Sequence, residues 1–213
     1  MTAPPVIGRL HVLTDFHFQQ RYSHGALARL ALAGGAETIQ FRQKVGSPRD
    51  AWVNVRPVIA ACRDAGATSL VDDRLGLALG AGADGVHLGQ TDLPLEAART
   101  AFGARGGIIG ATATTAAQAQ EAEASGADYI GFGPVFPTGS KANPARVKGL
   151  DGLAEACAAV SIPVIAIAGI TPERVAPCLD AGAMGVAVMT AVSCAPDPQA
   201  AAAAFREAIE RWG

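Results

Sequence analysis

The sequence is short of charge, of aromatic rings and of clustered cysteine. Charged residues make up 17% of its 213 positions and aromatics 5%, and the 17 basic residues do not outnumber the 19 acidic ones. With no basic excess and no basic block, the chain has no field to draw in a nucleic-acid backbone, and that class of partner is excluded. The four cysteines, Cys62, Cys157, Cys178 and Cys194, lie far apart. No pair has zinc-type spacing and a chain of this size needs no disulfide, so they read as free thiols in a reducing cytoplasm. No apolar run reaches the roughly 18 residues a membrane helix needs, and "MTAPPVIGRL" lacks the basic start and apolar core of a signal peptide. Gly-x-Ser-x-Gly and the P-loop are both missing. One Gly-x-Gly-x-x-Gly occurs, at Gly80, Gly82 and Gly85, but it ends a helix and opens a strand, the reverse of a dinucleotide site. No Gly/Ser-rich linker or shift of composition divides the chain, so residues 1–213 read as one domain.

What is abundant is Ala and Gly, arranged in a refrain. "LAGGAETIQF" (32–41), "DAGATSLV" (64–71), "GAGADGVHLG" (80–89), "ASGADYIGFG" (124–133) and "DAGAMGVAVM" (180–189) share one form. A helical run ends at Gly, which supplies a left-handed cap, and a short apolar strand follows. The strands are continuous apolar runs, as expected of parallel strands buried on both faces. "LHVLT" (10–14), "GIIGA" (107–111) and "PVIAIAG" (163–169) bring the count to eight. Helical segments lie between, among them 48–65, 115–125 and 171–181, the last with Thr171 placed to cap and Pro172 at its first position. Pro57 and Pro177 imply a kink or a later helix start. Eight βα units in this length predict an α/β fold, a single-domain (β/α)8 TIM barrel, with a doubly wound open sheet as the alternative.

Active sites of such barrels lie at the C-terminal ends of the strands. Strand 2 places Gln40, Arg42, Gln43 and Lys44 there, strand 3 Asp72, Asp73 and Arg74, and strand 4 His87, Gln90 and Asp92. Strand 5 places Thr112, Thr114 and Thr115, and the long loop 133–149 after strand 6 carries Thr138, Ser140 and Lys141. Gly169 follows strand 7, and Met189 and Thr190 follow strand 8. Arg42, Lys44 and Lys141 suit phosphate oxygens. Asp73 and Asp92 are hard oxygen ligands on neighbouring strands, suited to Mg²⁺ bound together with a substrate phosphate. Gly169 and the Met189–Thr190 backbone stand where barrels commonly hold a second phosphate. Taken singly, each residue is also what a solvated loop or an ion pair would carry. Asp73 and Arg74 also suit the start of the next helix, and His87, inside "GVHLG", reads as an interior hydrogen-bonded residue rather than a base.

These phrases also carry a resemblance. "LHVLTD", "IQFRQK", "LVDDRLGLALGAGADGVHLGQTDLP", "IGATATT", "DYIGFGPVFPTGSK", "IPVIAIAGITPERV" and "AGAMGVAVMTAV" occur in the order seen in thiamine phosphate synthases, over about residues 10 to 211. The pair "VHLGQTDLP" and "GFGPVFPTGSK" belongs to the superfamily of these synthases and their thiazole tautomerase relatives. The resemblance implies a cytoplasmic, Mg²⁺-dependent transferase that condenses 4-amino-2-methyl-5-hydroxymethylpyrimidine diphosphate with a thiazole phosphate. It implies that Gln40, Phe41, Arg42, Gln43, Lys44, Asp72, Thr112 and Lys141 hold the pyrimidine diphosphate, with Arg42, Lys44, Thr112 and Lys141 acting in catalysis. Asp73 and Asp92 would hold Mg²⁺. Thr138, Gly139, Ser140, Gly169, Met189 and Thr190 would hold the thiazole phosphate. The partners expected are phosphorylated small molecules, with no nucleic acid and no membrane, and a homodimer is compatible with the sequence.

The chain departs from the family pattern at several positions. Gln43 replaces a Glu, Asp72 an Asn, Thr112 a Ser, and Ala168 the first of two glycines. An ionised Asp72 accepts hydrogen bonds but cannot donate as the amide does. Thr114 stands where many members have His, the acid/base of the tautomerases, which argues against tautomerisation. The alternatives are a diverged paralogue that isomerises a thiazole phosphate and a non-catalytic phosphate-ligand binding protein.

Overall fold

The computed structural model describes residues 6–139 and 146–213. Strands β1 (Leu10–Thr14), β2 (Thr38–Phe41), β3 (Thr68–Asp72), β4 (Gly85–Leu88), β5 (Ile108–Ala113), β6 (Tyr129–Phe132), β7 (Val164–Ile167) and β8 (Gly185–Val188) are all parallel to their neighbours. Pairing of β8 with β1, Val188 beside Val12, closes the barrel and rules out the open sheet. Helices α1 (His24–Ala33), α2 (Pro48–Ala65), α3 (Leu75–Ala81), α4 (Leu95–Phe102), α5 (Ala116–Ala124), α6 (Gly149–Ala159), α7 (Pro172–Asp180), α8 (Thr190–Ser193) and α9 (Pro198–Trp212) surround it. Among the described residues, no helix is long and apolar enough to cross a membrane.

Local chemistry explains the boundaries. In α2 the Ser47 hydroxyl accepts from the Asp50 N–H and the Asp50 carboxylate accepts from the Ser47 N–H, so two otherwise orphaned donors are satisfied. The refrain's glycine at 66 and 82 takes φ of 67° and 75° just past a helix, where a Cβ would be strained. Two expectations are corrected. Helix α2 starts at Pro48 and runs through Pro57, and α7 starts at Pro172 and runs through Pro177, so neither inner proline marks a later helix start. The Pro57 ring packs on Gly25, where a Cβ would come within 2.5 Å of it. Thr171 does occupy the position before α7, but its hydroxyl makes no cap; it bonds the Glu173 carboxylate instead.

Two cores result from strand alternation. The larger lies between barrel and helices and includes Val12, Ile39, Val86, Ile109 and Ile130. Burial of each contributes about 2 kcal/mol. The smaller fills the barrel with Leu13, Leu70, Ile108, Tyr129, Ile165 and Ala187. Polar side chains share that interior: His11 and Gln40 are buried there. The inner core closes the floor of whatever the strand ends hold.

Candidate active site

The C-terminal strand ends open on a cavity of about 470 Å³. Of the residues expected there, Gln40, Arg42, Lys44, Asp72, Asp73, Asp92, Thr112, Thr138, Gly169, Met189 and Thr190 line it together. Phe41 and Gln43 are not brought to it. Phe41 alternates outward from Gln40 and is buried against His24, while the Gln43 side chain bonds Val45 O and Asn54 on the outer side. Gly139 does not line the cavity. Ser140 and Lys141 lie outside the described residues.

Charge is concentrated on one side. The Arg42 guanidinium donates to Asp15, and its Nε lies 3.8 Å from Asp72 Oδ2. The Lys44 ammonium donates to Asp73. Asp73 has φ of 62°, a left-handed conformation costing a non-glycine residue about 1 kcal/mol. Its N–H is held by the His87 carbonyl at 2.9 Å, so the strand ends fix a strained carboxylate beside the cavity. Asp92 Oδ2 accepts from the Gly89 N–H at 2.7 Å, closing the loop after β4. Burial, and then the negative charge of Asp73 in hydrogen-bond contact, push the Asp92 carboxyl above its usual range. Two neighbouring carboxylates, with the Lys44 ammonium in contact, are the hard oxygen donors that a divalent cation prefers. Among the described residues no group of three His, Cys, Asp or Glu side chains is placed to hold a metal.

Asp72 is the departure with the clearest physical signature. Its Oδ1 is buried without a hydrogen-bond partner among the described residues. Burial, and then the charge of Asp73, push its carboxyl up to about 7 against the attraction of Arg42 and Lys44. A folded-state value above the usual 3.8 means the native chain holds this proton more tightly than the unfolded chain. Stability is therefore lost as pH rises from about 4 to 7, and the penalty is complete above that. Asp72→Asn will raise unfolding free energy at pH 9 by on the order of 2–4 kcal/mol and leave it little changed near pH 4. Urea denaturation at the two pH values measures this, and an equal effect at both would refute the burial account.

The opposite side is neutral. Gly169 has φ of 66°, and a Cβ there would stand 2.5 Å from the Pro137 carbonyl oxygen. Ala168 beside it has φ of 82°, so the family's glycine is replaced at a position that strains alanine. Arg174 pins this loop, donating to Gly169 O at 2.6 Å with its guanidinium 4.5 Å over the Phe136 ring. Thr114 bonds Gln118 through its hydroxyl and its N–H, so no acid/base group occupies the tautomerase position. Gln90 ties its loop to β5 through the Thr112 carbonyl at 2.5 Å.

Three site features were missed in the sequence. Asp15 follows strand 1 and pairs Arg42. His11 and Tyr129 join a buried chain with Gln40, His87 and Thr112. The polar letter in "LHVLT" was a usable signal for His11; Tyr129, first residue of an apolar strand, offered none. His87 bonds Tyr129 and Thr112, in keeping with an interior hydrogen-bonded residue.

Comparison with known proteins places this geometry. A family model described as thiamine monophosphate synthase matches residues 10–192. The chain is 59% identical over 204 residues to a thiamine-phosphate synthase of Salinibacter ruber, covering 96% of this chain and 89% of that one. It is 46% identical over 203 residues to one from Methanocella arvoryzae, with 95% of each chain covered. Among solved structures it resembles the thiamine phosphate pyrophosphorylase of Pyrococcus furiosus, with TM-score 0.87 and 39% identity over 95% of this chain and 96% of that one.

Proposed function

Because the chain belongs to the thiamine monophosphate synthase family, enzymes of thiamine biosynthesis, we propose that it joins 4-amino-2-methyl-5-hydroxymethylpyrimidine diphosphate to a thiazole phosphate in the cytoplasm. The observation that carries this reading is one cavity with Arg42, Lys44, Asp73 and Asp92 on one side and the Gly169 and Met189–Thr190 backbone on the other. A diphosphate and a monophosphate facing each other would occupy those two sides.

The reaction needs no nucleophile from the protein. The bond between the pyrimidine methylene carbon and the diphosphate oxygen breaks, and the oxygen keeps the electron pair. The thiazole nitrogen then supplies a lone pair to the methylene cation and forms the new C–N bond. If the thiazole carries a carboxylate, carbon dioxide leaves as well, and the electron pair it leaves behind takes up a proton from solvent. Arg42 and Lys44 stabilise the departing diphosphate by charge and by directed N–H groups. Lys141 would add a third cation. The two sides of the cavity hold both reactants close, which replaces a bimolecular encounter by a positioned one. Asp73 and Asp92 would hold Mg²⁺, with remaining ligands from diphosphate and water, and the ion when bound neutralises charge on the leaving group.

Incubating the purified protein with both substrates and Mg²⁺ will yield thiamine phosphate by mass spectrometry, and EDTA will suppress it. Absence of product from folded protein that still binds either substrate would move the reading to a diverged paralogue.

A further inference from the structure

A chain of five polar side chains crosses the barrel under the cavity, and its hydrogens can be placed one by one. His11 Nε2 lies 3.0 Å from the Gly8 carbonyl oxygen. A carbonyl only accepts, so the ring hydrogen is on Nε2. Burial lowers the His11 pKa to about 3, so the ring is neutral and Nδ1 is left as an acceptor. The Gln40 amide faces Nδ1 at 3.1 Å, and only its nitrogen can donate there. That nitrogen also donates to the Tyr129 hydroxyl at 3.2 Å. The hydroxyl, accepting from Gln40, gives its own hydrogen to His87 Nδ1 at 2.8 Å. His87 then donates from Nε2 to Thr112 Oγ1 at 2.9 Å. Every link has one polarity, and the Gly8 carbonyl sets it for all of them.

His11 lies off the cavity, and Gln40 and Thr112 are the links whose remaining polar capacity faces it. Gln40 Oε1 accepts from none of the described residues, and the Thr112 hydroxyl hydrogen is committed to none of their acceptors. The fold makes room for the chain. A Cβ at Gly110 would lie 2.2 Å from the Tyr129 ring, and one at Gly131 would lie 2.8 Å from the His87 ring.

We propose that His11 and Tyr129 are positioning residues that fix the polarity the cavity reads: an acceptor at Gln40 and a donor at Thr112, selecting an aminopyrimidine over its 4-oxo counterpart. The inference rests on the functional reading above, in which Gln40 and Thr112 meet the pyrimidine. An exocyclic amino group donates to Gln40 Oε1, and a ring nitrogen accepts from Thr112. A 4-oxo group would set a carbonyl against a carbonyl, and a buried acceptor left unpaired is the costly error. Without the His11 anchor the whole chain can reverse, turning the Gln40 amide nitrogen to the cavity and the hydrogen of Thr112 toward His87.

The test is the ratio of dissociation constants for the 4-amino and 4-oxo pyrimidine diphosphates with Mg²⁺, by calorimetry. Rates are not compared, because the ring substituent also alters how readily diphosphate leaves. Wild type will favour the amino compound by about 100-fold or more. His11→Phe will bring the ratio under about 10-fold, in part by tighter binding of the oxo compound, a gain that a packing defect does not give. Tyr129→Phe, which leaves Gln40 anchored on His11 but cuts His87 and Thr112 from that anchor, will lower the ratio less than His11→Phe does, and thiazole phosphate affinity will be unchanged in both variants. Nitrogen-15 NMR of wild type will show Nε2–H tautomers at His11 and His87, and this carries the test if His11→Phe does not fold. Equal wild-type affinities, a full preference retained in folded His11→Phe, or an Nδ1–H tautomer at either histidine would overturn the proposal. Failure of wild type to make thiamine phosphate would count against the functional reading alone, with the binding ratio and tautomers still deciding this one.

Discussion

Asp92→Ala will lower kcat/KM by on the order of 10²–10³-fold while leaving the barrel folded. Asp92 meets Asp73 across the ends of β3 and β4, and burial together with the Asp73 charge raises the Asp92 carboxyl. Removing one leaves Asp73 and its Lys44 partner, a weaker site for a doubly charged ion. Raising Mg²⁺ will therefore recover part of the loss. Asp92 also accepts the Gly89 N–H, so the alanine variant frees one loop donor, at about 1 kcal/mol. Asp92→Asn keeps that acceptor and serves as the control: it will restore the melting temperature and not the activity. Steady-state kinetics across Mg²⁺ concentrations measures both. A wild-type kcat for Asp92→Ala at low Mg²⁺ would refute the metal clamp.

Acidification will act on two buried histidines, His11 inside the barrel and His24 at the start of α1. Burial lowers His11 to about 3 and His24 to about 4, from the usual 6.5. Between those values and 6.5 the unfolded chain binds a proton at each histidine and the native chain does not. Stability therefore falls as pH drops through that window, by about 1.4 kcal/mol per pH unit for each histidine. Asp72 works in the other direction, since its native carboxyl, raised to about 7, holds a proton that the unfolded chain releases. In Asp72→Asn the opposing contribution is gone. That variant will lose on the order of 6 kcal/mol between pH 7 and pH 4, and wild type much less. Urea unfolding of both proteins at both pH values tests the sign and the difference. No loss in Asp72→Asn would mean the histidines are not held neutral by burial.

The barrel was legible because its parallel strands are buried on both faces and five of the eight are announced by the glycine that ends the helix before them. The ion-bearing side of the site was legible for a related reason, since charges rare in an apolar chain stand out after Val71 and Leu88. Reading "QFRQK" as a block failed at Phe41 and Gln43, because strand pleating sends alternate side chains to opposite faces. Thr171 failed as a cap because a hydroxyl chooses among nearby acceptors and donors, and Glu173 won. Tyr129 and His11 were missed because their importance lies in partners across the barrel. Tyr129 on β6 meets Gln40 on β2 and His87 on β4, and sequence order says nothing about which interior residues share a level.

The pairing of Arg42 with Asp15 and of Lys44 with Asp73 bears on how fast substrates arrive. Each described cation at the cavity is already compensated by a carboxylate, and Asp72 and Asp92 add acids beyond those pairs. From a distance the described mouth is not a positive funnel. A bare diphosphate diffusing past it feels little long-range pull, and capture depends on contacts made after arrival. Ionic strength, which slows steered encounters steeply, will hardly touch the association rate. What salt will change is the dwell time once the phosphate oxygens have taken Arg42 and Lys44 from their carboxylates.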